Sequence, residues 1–303
     1  PSAYRSIVLD ESSILKSIDG KTRTKLLREW TAVPYRLCCT ATPAPNDIAE
    51  LGNHAEFLGV ATRAEMLAEY FVHDDQGWRQ KGHAAEAFWR WIAEWATFVR
   101  RPSDLGYEDN GFVLPPLSIR DDLVRTSKRP VGALFADAVG GVRGRLDARR
   151  LSLDERVARA AEIVRARPGP WIVWCGLNAE AEGLADALGK ECVEVSGAMP
   201  DDTKIDAERL WRTGAVRVLI SKPRIFGYGM NWQHCAQVMF LGIGDSYEQY
   251  YQAIRRCWRF GQTSPVDCTI VISDAESEIA GNVRRKELEA ARMAEETIAS
   301  VRD

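Results

Sequence analysis

At 303 residues with 46% hydrophobic side chains, the chain is typical of globular proteins and has room for two domains. Its net charge of −3 excludes a global basic field, so any site for a polyanion must be local. No apolar run approaches a membrane span, nothing at the start resembles a signal peptide, and seven cysteines show no Cys-x-x-Cys pair, which together predict a cytoplasmic protein with buried thiols.

The first element is a short apolar run, Ser6-Ile7-Val8-Leu9, which predicts a buried strand that ends in Asp10 and Glu11. P-loop enzymes use two carboxylates at such a strand end to hold a magnesium ion and to orient a water. An Asp-Glu pair after a strand also occurs by chance, and that alternative stays open here. Gly20-Lys21-Thr22 is not a phosphate-binding loop, because Leu15 stands where the first glycine of that loop is needed.

A second strand is predicted at Arg36-Leu37-Cys38-Cys39, closed by Thr40-Ala41-Thr42-Pro43. Two hydroxyls at a strand end, followed by prolines, are typical of a polar hinge, although threonines also serve simply as turn formers. From residue 61 to 101 the pattern becomes helical, with an aromatic and aliphatic stripe at Phe88, Trp91, Ile92, Trp95 and Val99. Core packing is favoured for this stripe over a base-stacking platform.

A basic segment follows the helical region. Residues 120–150 contain eight arginines and lysines against four aspartates, together with four glycines, and this composition predicts a flexible basic connector. A solvated linker and a nucleic-acid contact are both consistent with it. From residue 154 onward, helical and apolar strand patterns alternate, with strands predicted at 171–175, 192–195, 216–220, 237–241 and 267–272. This alternation predicts a parallel sheet covered by helices on both faces, the doubly wound α/β design.

The most informative stretch runs from Gln252 to Gln262 and carries three arginines, a tryptophan and two glutamines. It is predicted to form one helix that Gly261 ends, with Arg256 and Arg259 on the same side. Two guanidinium groups directed the same way form a good receptor for a phosphate chain. The alternative is a solvated basic helix face.

Three stretches come in a fixed order: a strand with Asp10-Glu11, a strand with Thr40-Ala41-Thr42-Pro43, and a later α/β unit ending in Gln252-x-x-x-Arg256-x-x-Arg259-x-Gly261-Gln262. This order resembles the superfamily 2 helicases, and most closely the SNF2-like DNA translocases, where the stretches correspond to motifs II, III and VI. Ser221 with Gly227-Tyr228-Gly229-Met230-Asn231-Trp232 resembles motif V. The amino-acid sequences of the first two stretches are also similar to those of helicases encoded by bacteriophages and prophages. This similarity implies that the protein is located in a bacterial cell.

The resemblance implies a role for each matching residue. Asp10 would hold the Mg²⁺ of bound ATP, and Glu11 would act as general base on the attacking water. Arg256 and Arg259 would reach across the interdomain cleft as arginine fingers, with Gln252 positioning them. Thr40, Thr42 and Ser221 would couple the nucleotide to the nucleic-acid groove, and Gly227, Gly229 and Asn231 would contribute to cofactor binding. Positioned cations such as Mg²⁺ and the two arginines suit phosphoryl transfer, because this reaction is catalysed by neutralising the charge that develops on the phosphate.

Two departures from the family pattern bear on these roles. The usual Asp-Glu-Ala-His of motif II ends here in Ser12 and Ser13, and Trp258 stands where SNF2-like motif VI often has histidine. In addition, these residues contain no phosphate-binding loop. The half-domain that would carry it is expected as a missing partner, and this polypeptide alone is expected to hydrolyse ATP poorly or not at all.

The implied fold is α/β, with two RecA-like lobes of parallel sheet, the first incomplete, and a helical insertion. The expected domains are the C-terminal half of RecA-like domain 1 (1–60), the insertion (61–118), a basic linker (119–153), RecA-like domain 2 (154–273) and a C-terminal helix (274–303). The implied function is an ATP-dependent helicase or translocase, a hydrolase acting on DNA in preference to RNA. The alternative is a catalytically inactive nucleic-acid-binding module that retains the helicase fold.

Overall fold

A computed structural model describes residues 4–75, 77–126, 149–226 and 230–302. The chain divides into two compact units, which are described separately. Unit 1 comprises Pro1–Asp109 and Arg285–Asp303, and unit 2 comprises Asn110–Arg284. Among the described helices, none is long and apolar enough to cross a membrane.

Unit 1 begins with a two-stranded parallel sheet. Strands β1 (Ser6–Asp10) and β2 (Tyr35–Cys39) pair so that Asp10 lies opposite Cys39, and helix α1 (Lys21–Trp30) connects them. One face of this sheet carries the exposed side chains of Val8, Tyr35 and Leu37, which are 60%, 64% and 54% accessible. Parallel sheets are normally covered on both faces, so this exposed apolar face is unusual.

The rest of unit 1 is built from helices and a hairpin: α2 (Leu51–Leu58), α3 (Arg63–Tyr70), β3 (Phe71–Asp74), β4 (Gly77–Gln80) and α4 (Ala85–Ala93). The prediction of helical structure throughout 61–101 was therefore wrong. A capping box between Thr62 and Glu65 starts α3, but β3 and β4 then form an antiparallel pair. Aromatic and β-branched residues at 71–73 favour that strand over a helix.

Core packing explains most of the aromatic stripe. Phe88 and Ile92 are buried in a cluster with Tyr70, Phe71 and Met293, and Trp91 and Trp95 pack against the cluster. Helix α4 ends at Ala93, so the end of the stripe lies beyond it and Val99 is exposed.

Unit 2 contains a six-stranded parallel sheet in the order β5-β10-β9-β6-β8-β7. The strands are β5 (Leu117–Val124), β6 (Trp171–Cys175), β7 (Cys192–Val195), β8 (Val218–Ser221), β9 (Gln237–Leu241) and β10 (Val266–Ser273). The helices are α5 (Leu153–Ala166), α6 (Asn178–Leu188), α7 (Asp201–Arg212), α8 (Tyr247–Ile254) and α9 (Ser277–Arg302), whose residues from 285 belong to unit 1. The predicted α/β class is confirmed.

Strand β5 was not predicted, because it lies in the stretch interpreted as a basic connector. It pairs with β10 along all eight residues and forms an edge of the sheet, which explains why its sequence tolerates Arg120, Asp121 and Asp122. Residues 127–148 of the predicted connector lie outside the described residues. The seven cysteines are free thiols, but Cys39 is exposed, so the prediction that all are buried was wrong.

Candidate functional site

The carboxyl ends of β1 and β2 bring four predicted site residues to one edge of unit 1. Because Asp10 pairs with Cys39, the segments that contain Glu11, Thr40 and Thr42 leave the sheet side by side. Asp10 is exposed, while Thr42 is buried and its amide donates to Thr40 Oγ1 at 3.1 Å. The fold therefore places the two strand ends next to each other.

Asp10 offers the kind of ligand that Mg²⁺ requires. Its carboxylate is exposed at the strand end, with Oδ1 accepting a hydrogen bond from the Glu11 amide at 3.0 Å. Among the described residues there is no group of three or more metal-ligating side chains. Mg²⁺ commonly uses only one or two carboxylates and completes its shell with phosphate and water oxygens, so a single exposed carboxylate fits this ion when it arrives with a nucleotide.

Glu11 has an unusual backbone conformation. Its φ of 53° and ψ of 52° lie in the left-handed region, the only such non-glycine residue among those described. Bulky residues rarely adopt this conformation, and it costs of the order of 1–3 kcal/mol unless the surroundings impose it. The next residue, Ser12, is fully buried, and its Oγ lies 3.2 Å from His54 Nε2 on α2. This contact anchors the turn that presents Glu11.

His54 is held in its neutral form. The side chain is only 4% exposed, and burial lowers its pKa from 6.5 to about 4. In the sequence, Ser13 stands where the motif II that it resembles has histidine, and His54 was not singled out. The structure brings this histidine, 42 residues away along the chain, into contact with Ser12.

Acidification is expected to destabilise unit 1 through His54. Since the pKa of the folded state lies below that of the unfolded state, the unfolded chain binds the proton first, so stability is lost as pH falls from 6.5 toward 4. The expected loss between pH 8 and pH 5 is about 2 kcal/mol. Hydrogen exchange of α2 amides in the wild type and in His54→Gln measures it. An equal acid dependence in both proteins would contradict the assignment.

In unit 2, the predicted single helix over the arginine stretch was wrong. Helix α8 ends at Ile254, and residues 255–260 form successive turns. Arg256 is 5% exposed, with its guanidinium 5.9 Å from the centre of the Trp174 ring. Arg259 is half-buried, and its Nη1 donates to the Met230 carbonyl at 3.1 Å. The two arginines are therefore presented by turns in different environments.

Gln262 fixes the end of this turn region. Its buried amide donates to the carbonyls of Cys235 and Cys257 at 3.1 and 3.2 Å, and its Oε1 accepts from the amides of Thr263 and Ser264 at 2.9 Å each. Gly261 precedes it with a φ of 91°, which glycine adopts without strain. The Gly-Gln pair of the predicted motif thus has a structural role in closing the turn.

The stretch that resembles motif V contacts the arginine turn. Besides the bond from Arg259 to Met230, the Trp232 amide donates to the Arg256 carbonyl at 2.9 Å. Asn231 between them is exposed. Of the remaining predicted residues, Ser221 is buried and donates to the Val195 carbonyl at 2.9 Å, Gln252 is half-buried on α8, and Gly227 and Gly229 lie outside the described residues.

A crevice of about 390 Å³ opens at the carboxyl edge of the large sheet. We call it the sheet-edge crevice; its walls include Trp174, Lys222, Arg224, Ser246 and Gln249. Lys222 bonds to Asn178 Oδ1, and Gln249, with its amide oxygen turned toward Arg224, accepts from Nε and Nη2 at 3.0 and 3.2 Å. No aspartate or glutamate is among the described residues that line it, so the crevice suits an anion.

Sequence reasoning missed the buried charge network behind this crevice. Arg149 forms a bidentate pair with Glu180 at 2.6 and 2.9 Å, and Arg156 contacts the same carboxylate at 2.8 Å. Glu276 lies 3.4 Å from both arginines. A Cβ added at Gly176 or Gly242 would collide with the Arg149 guanidinium, which explains the glycines at these strand ends. No sequence signal pointed to a network whose members are up to 127 residues apart.

Comparison with known proteins concerns the same part of unit 2. Residues 155–261 match the family described as the helicase conserved C-terminal domain. This segment contains strands β6 to β9 and both predicted arginine fingers. It also contains every described residue that lines the sheet-edge crevice except Arg149. Recognition of a superfamily 2 helicase from motif order is therefore supported by the helicase C-terminal domain match.

Two solved structures resemble part of the chain. The C-terminal part of the Fun30 ATPase domain aligns at 12% identity over 46% of this chain and 52% of that one, with a TM-score of 0.39. A DEAD box protein from the hyperthermophile Methanococcus jannaschii aligns at 18% identity over 44% and 36%, with a TM-score of 0.38. The alignments thus span about half and about a third of these chains. No curated protein sequence matches.

Proposed function

We propose that the chain is part of an ATP-dependent, SNF2-like DNA helicase or translocase. The observation that carries the proposal is the sheet-edge crevice, which has no acidic side chain among the described residues that line it. It lies in a segment that matches the helicase C-terminal domain, at the edge of a parallel sheet where ligands commonly bind. Lys222 and Arg224 supply positive charge there for phosphate groups. Such contacts are to the backbone of nucleic acid, and DNA is proposed over RNA on the motif resemblance alone.

The hydrolytic roles proposed for unit 1 rest on the β1 and β2 strand ends. Asp10 would hold Mg²⁺, which supplies charge neutralisation for the phosphates when bound. Glu11, presented by the strained turn that Ser12 and His54 anchor, would accept the proton of the attacking water. Arg259 is the better exposed of the two proposed arginine fingers, and Arg256 would have to leave the face of Trp174 to reach a phosphate.

The exposed face of the β1–β2 sheet supports the proposed partner of unit 1. Val8, Tyr35 and Leu37 are apolar or aromatic and more than half exposed on a parallel sheet. A segment that adds strands and covers this face would bury them, and we propose that it also supplies the phosphate-binding loop. We also propose that the chain is divided into two RecA-like lobes, an insertion and a linker. The same proposal includes a phage or prophage origin in a bacterial cell.

Burial of Arg256 favours a second candidate, a nucleic-acid-binding module that has kept the fold and lost the chemistry. The deciding experiment is the ATPase rate of the longest natural reading frame that contains these 303 residues, with and without duplex and single-stranded DNA. We expect turnover that DNA stimulates at least tenfold and that falls steeply with added salt. DNA binding without turnover would reject the motor in favour of the module.

A further inference from the structure

A second groove lies within unit 1, and no predicted motor residue is among the described residues that line it. It has a volume of about 350 Å³, within the range of small-ligand pockets, and is formed by residues 44–48, strand β4, helix α4 and the middle of α9. We call it the tryptophan groove. The buried side chains of Trp89 and Met293 contribute to its lining, and the indole of Trp78 forms part of its wall.

Trp78 is the aromatic surface of this groove that a ligand can reach. It is 38% exposed. The ring of His73, its cross-strand partner, packs against it edge to face with centroids 4.9 Å apart. This contact holds the indole in place before any ligand binds, so stacking on it would cost little additional ordering.

The groove also carries an excess of positive charge. Its walls include the cations Arg79, Arg285, Lys286 and Arg292, against the carboxylates of Asp47 and Glu289. Asp47 already accepts a hydrogen bond from the Ala49 amide at 2.7 Å, which caps the short helix that follows. Arg79 and Arg285 pair with exposed carboxylates at 3.1 and 2.6 Å, and exposed pairs of this kind contribute little to stability. A phosphate can therefore replace those carboxylate partners.

An exposed aromatic face beside several cations matches the chemistry of unpaired nucleotides. Bases stack on such a face with little regard to sequence, while the phosphates between them contact arginine and lysine. An acidic peptide would use the cations and leave the indole unused. Duplex DNA offers its phosphates but keeps its base faces covered. We propose that the tryptophan groove binds single-stranded nucleic acid, with a base stacked on Trp78 and phosphates on Lys286 and its neighbouring arginines.

The groove is connected to the predicted hydrolytic edge of unit 1 by a short path. Lys286 Nζ donates to Asn46 Oδ1 at 3.0 Å, and Asn46 in turn donates through its amide groups to both oxygens of Glu50. Asn46 lies four residues after Thr42. A phosphate that draws Lys286 away would release Asn46 and so change the segment that follows the proposed coupling threonines. This inference rests on the proposed function for its ligand class, but binding in the groove requires no ATP hydrolysis.

The test measures binding of a fluorescein-labelled oligothymidylate to the 303-residue chain by fluorescence anisotropy over a range of salt. Trp78→Ala is expected to raise the Kd about tenfold, and Trp78→Phe to keep it within about threefold because a stacking face remains. Lys286→Gln is expected to reduce the slope of log K against log salt by about 0.7. The matched controls are Tyr107→Ala and Lys25→Gln, which replace an exposed aromatic and an exposed lysine of unit 1 away from the groove.

An unchanged Kd in Trp78→Ala with a native thermal melt would overturn the inference. So would displacement of the oligothymidylate by polyglutamate at equal charge concentration, since that would identify an acidic peptide as the ligand class. The two proposals fail separately. DNA-stimulated ATPase in the full frame with no effect of Trp78→Ala rejects the groove alone, whereas Trp78-dependent binding without any ATPase rejects the motor alone.

Discussion

Replacing Glu180 with glutamine is expected to lower the free energy of unfolding of unit 2 by about 3–5 kcal/mol. The carboxylate is fully buried and receives two arginines, Arg149 and Arg156. It also accepts the amides of Gly176 and Leu177 at 2.9 Å each, which caps the start of α6. Removing its charge leaves two buried guanidinium groups with one remaining carboxylate, that of Glu276, among the described residues that form ion pairs with them. An uncompensated buried charge is far more costly than a broken surface pair.

Amide exchange of β6, the central strand beside this network, measures the effect without interference from unit 1. Glu182→Gln, an exposed change two residues away on the same helix, is the matched control and is expected to shift stability by less than about 0.5 kcal/mol. Arg149→Leu combined with Glu180→Gln should cost less than the sum of the single changes, because both remove the same pair. Additive losses would show that the pair is not coupled.

The same network predicts an acid dependence. Burial alone would raise the pKa of Glu180, but Arg149, Arg156 and the hydrogen bonds outweigh it, so the pKa lies below its ordinary 4.5. Since the folded-state pKa is depressed, the contribution to stability is complete above pH 4.5 and is lost as pH falls below it. In Glu180→Gln this component of the acid dependence should be absent.

The sequence is most informative where elements are long and buried on both faces. Strands Trp171–Cys175 and Gln237–Leu241 were predicted to the residue, because a buried parallel strand has a nearly continuous apolar sequence. The half-buried edge strand Cys192–Val195 was also predicted to the residue. These elements determine the α/β class.

Prediction failed where local pattern and tertiary context disagree. The aromatic spacing from Phe88 to Trp95 fits a long helix, yet α4 is short and a hairpin precedes it, since strand pairing of Phe71–Asp74 overrides the surrounding helical pattern. Strand β5 was missed because an edge strand tolerates charged side chains, and its partner β10 lies about 150 residues away. Neither feature has a signal within a short window.

The candidate site also combines features that have a local sequence signal with features that depend on tertiary contacts. Motif order selected the strand ends and turns that are proposed to carry the site, since each motif is contiguous in sequence. It did not reveal that Arg256 packs on Trp174, or that His54 lies against Ser12, because these contacts join residues 82 and 42 positions apart. The prediction that Arg256 and Arg259 lie on one helix was wrong, because nothing in the sequence before Gly261 marks the end of α8 at Ile254.

In the longest natural reading frame, Glu11→Gln is expected to lower the DNA-stimulated kcat for ATP by about 10²–10⁴-fold. Glutamine keeps the size of the side chain but cannot accept the proton of an attacking water. The strained backbone at Glu11 and the buried Ser12–His54 contact behind it should persist, so DNA binding should be unchanged. The control is Asp19→Asn, an exposed carboxylate in the loop before α1, for which kcat should stay within about twofold.

Arg259→Ala is expected to lower kcat by about 10³-fold or more, since an arginine that neutralises the transferring phosphate contributes 10³–10⁵ in phosphoryl-transfer enzymes. Arg259→Lys should recover only part of this loss, because a lysine cannot reproduce the planar fork of a guanidinium. The matched control is Arg255→Ala on the same turn, where the guanidinium stacks on Trp258 at 4.3 Å and on Tyr251 at 4.9 Å. A large loss of kcat in Arg259→Ala with little change in Arg255→Ala would identify Arg259 as an arginine finger. Similar small losses for both would mean that the turn only supports the fold and that Arg259 is not an arginine finger.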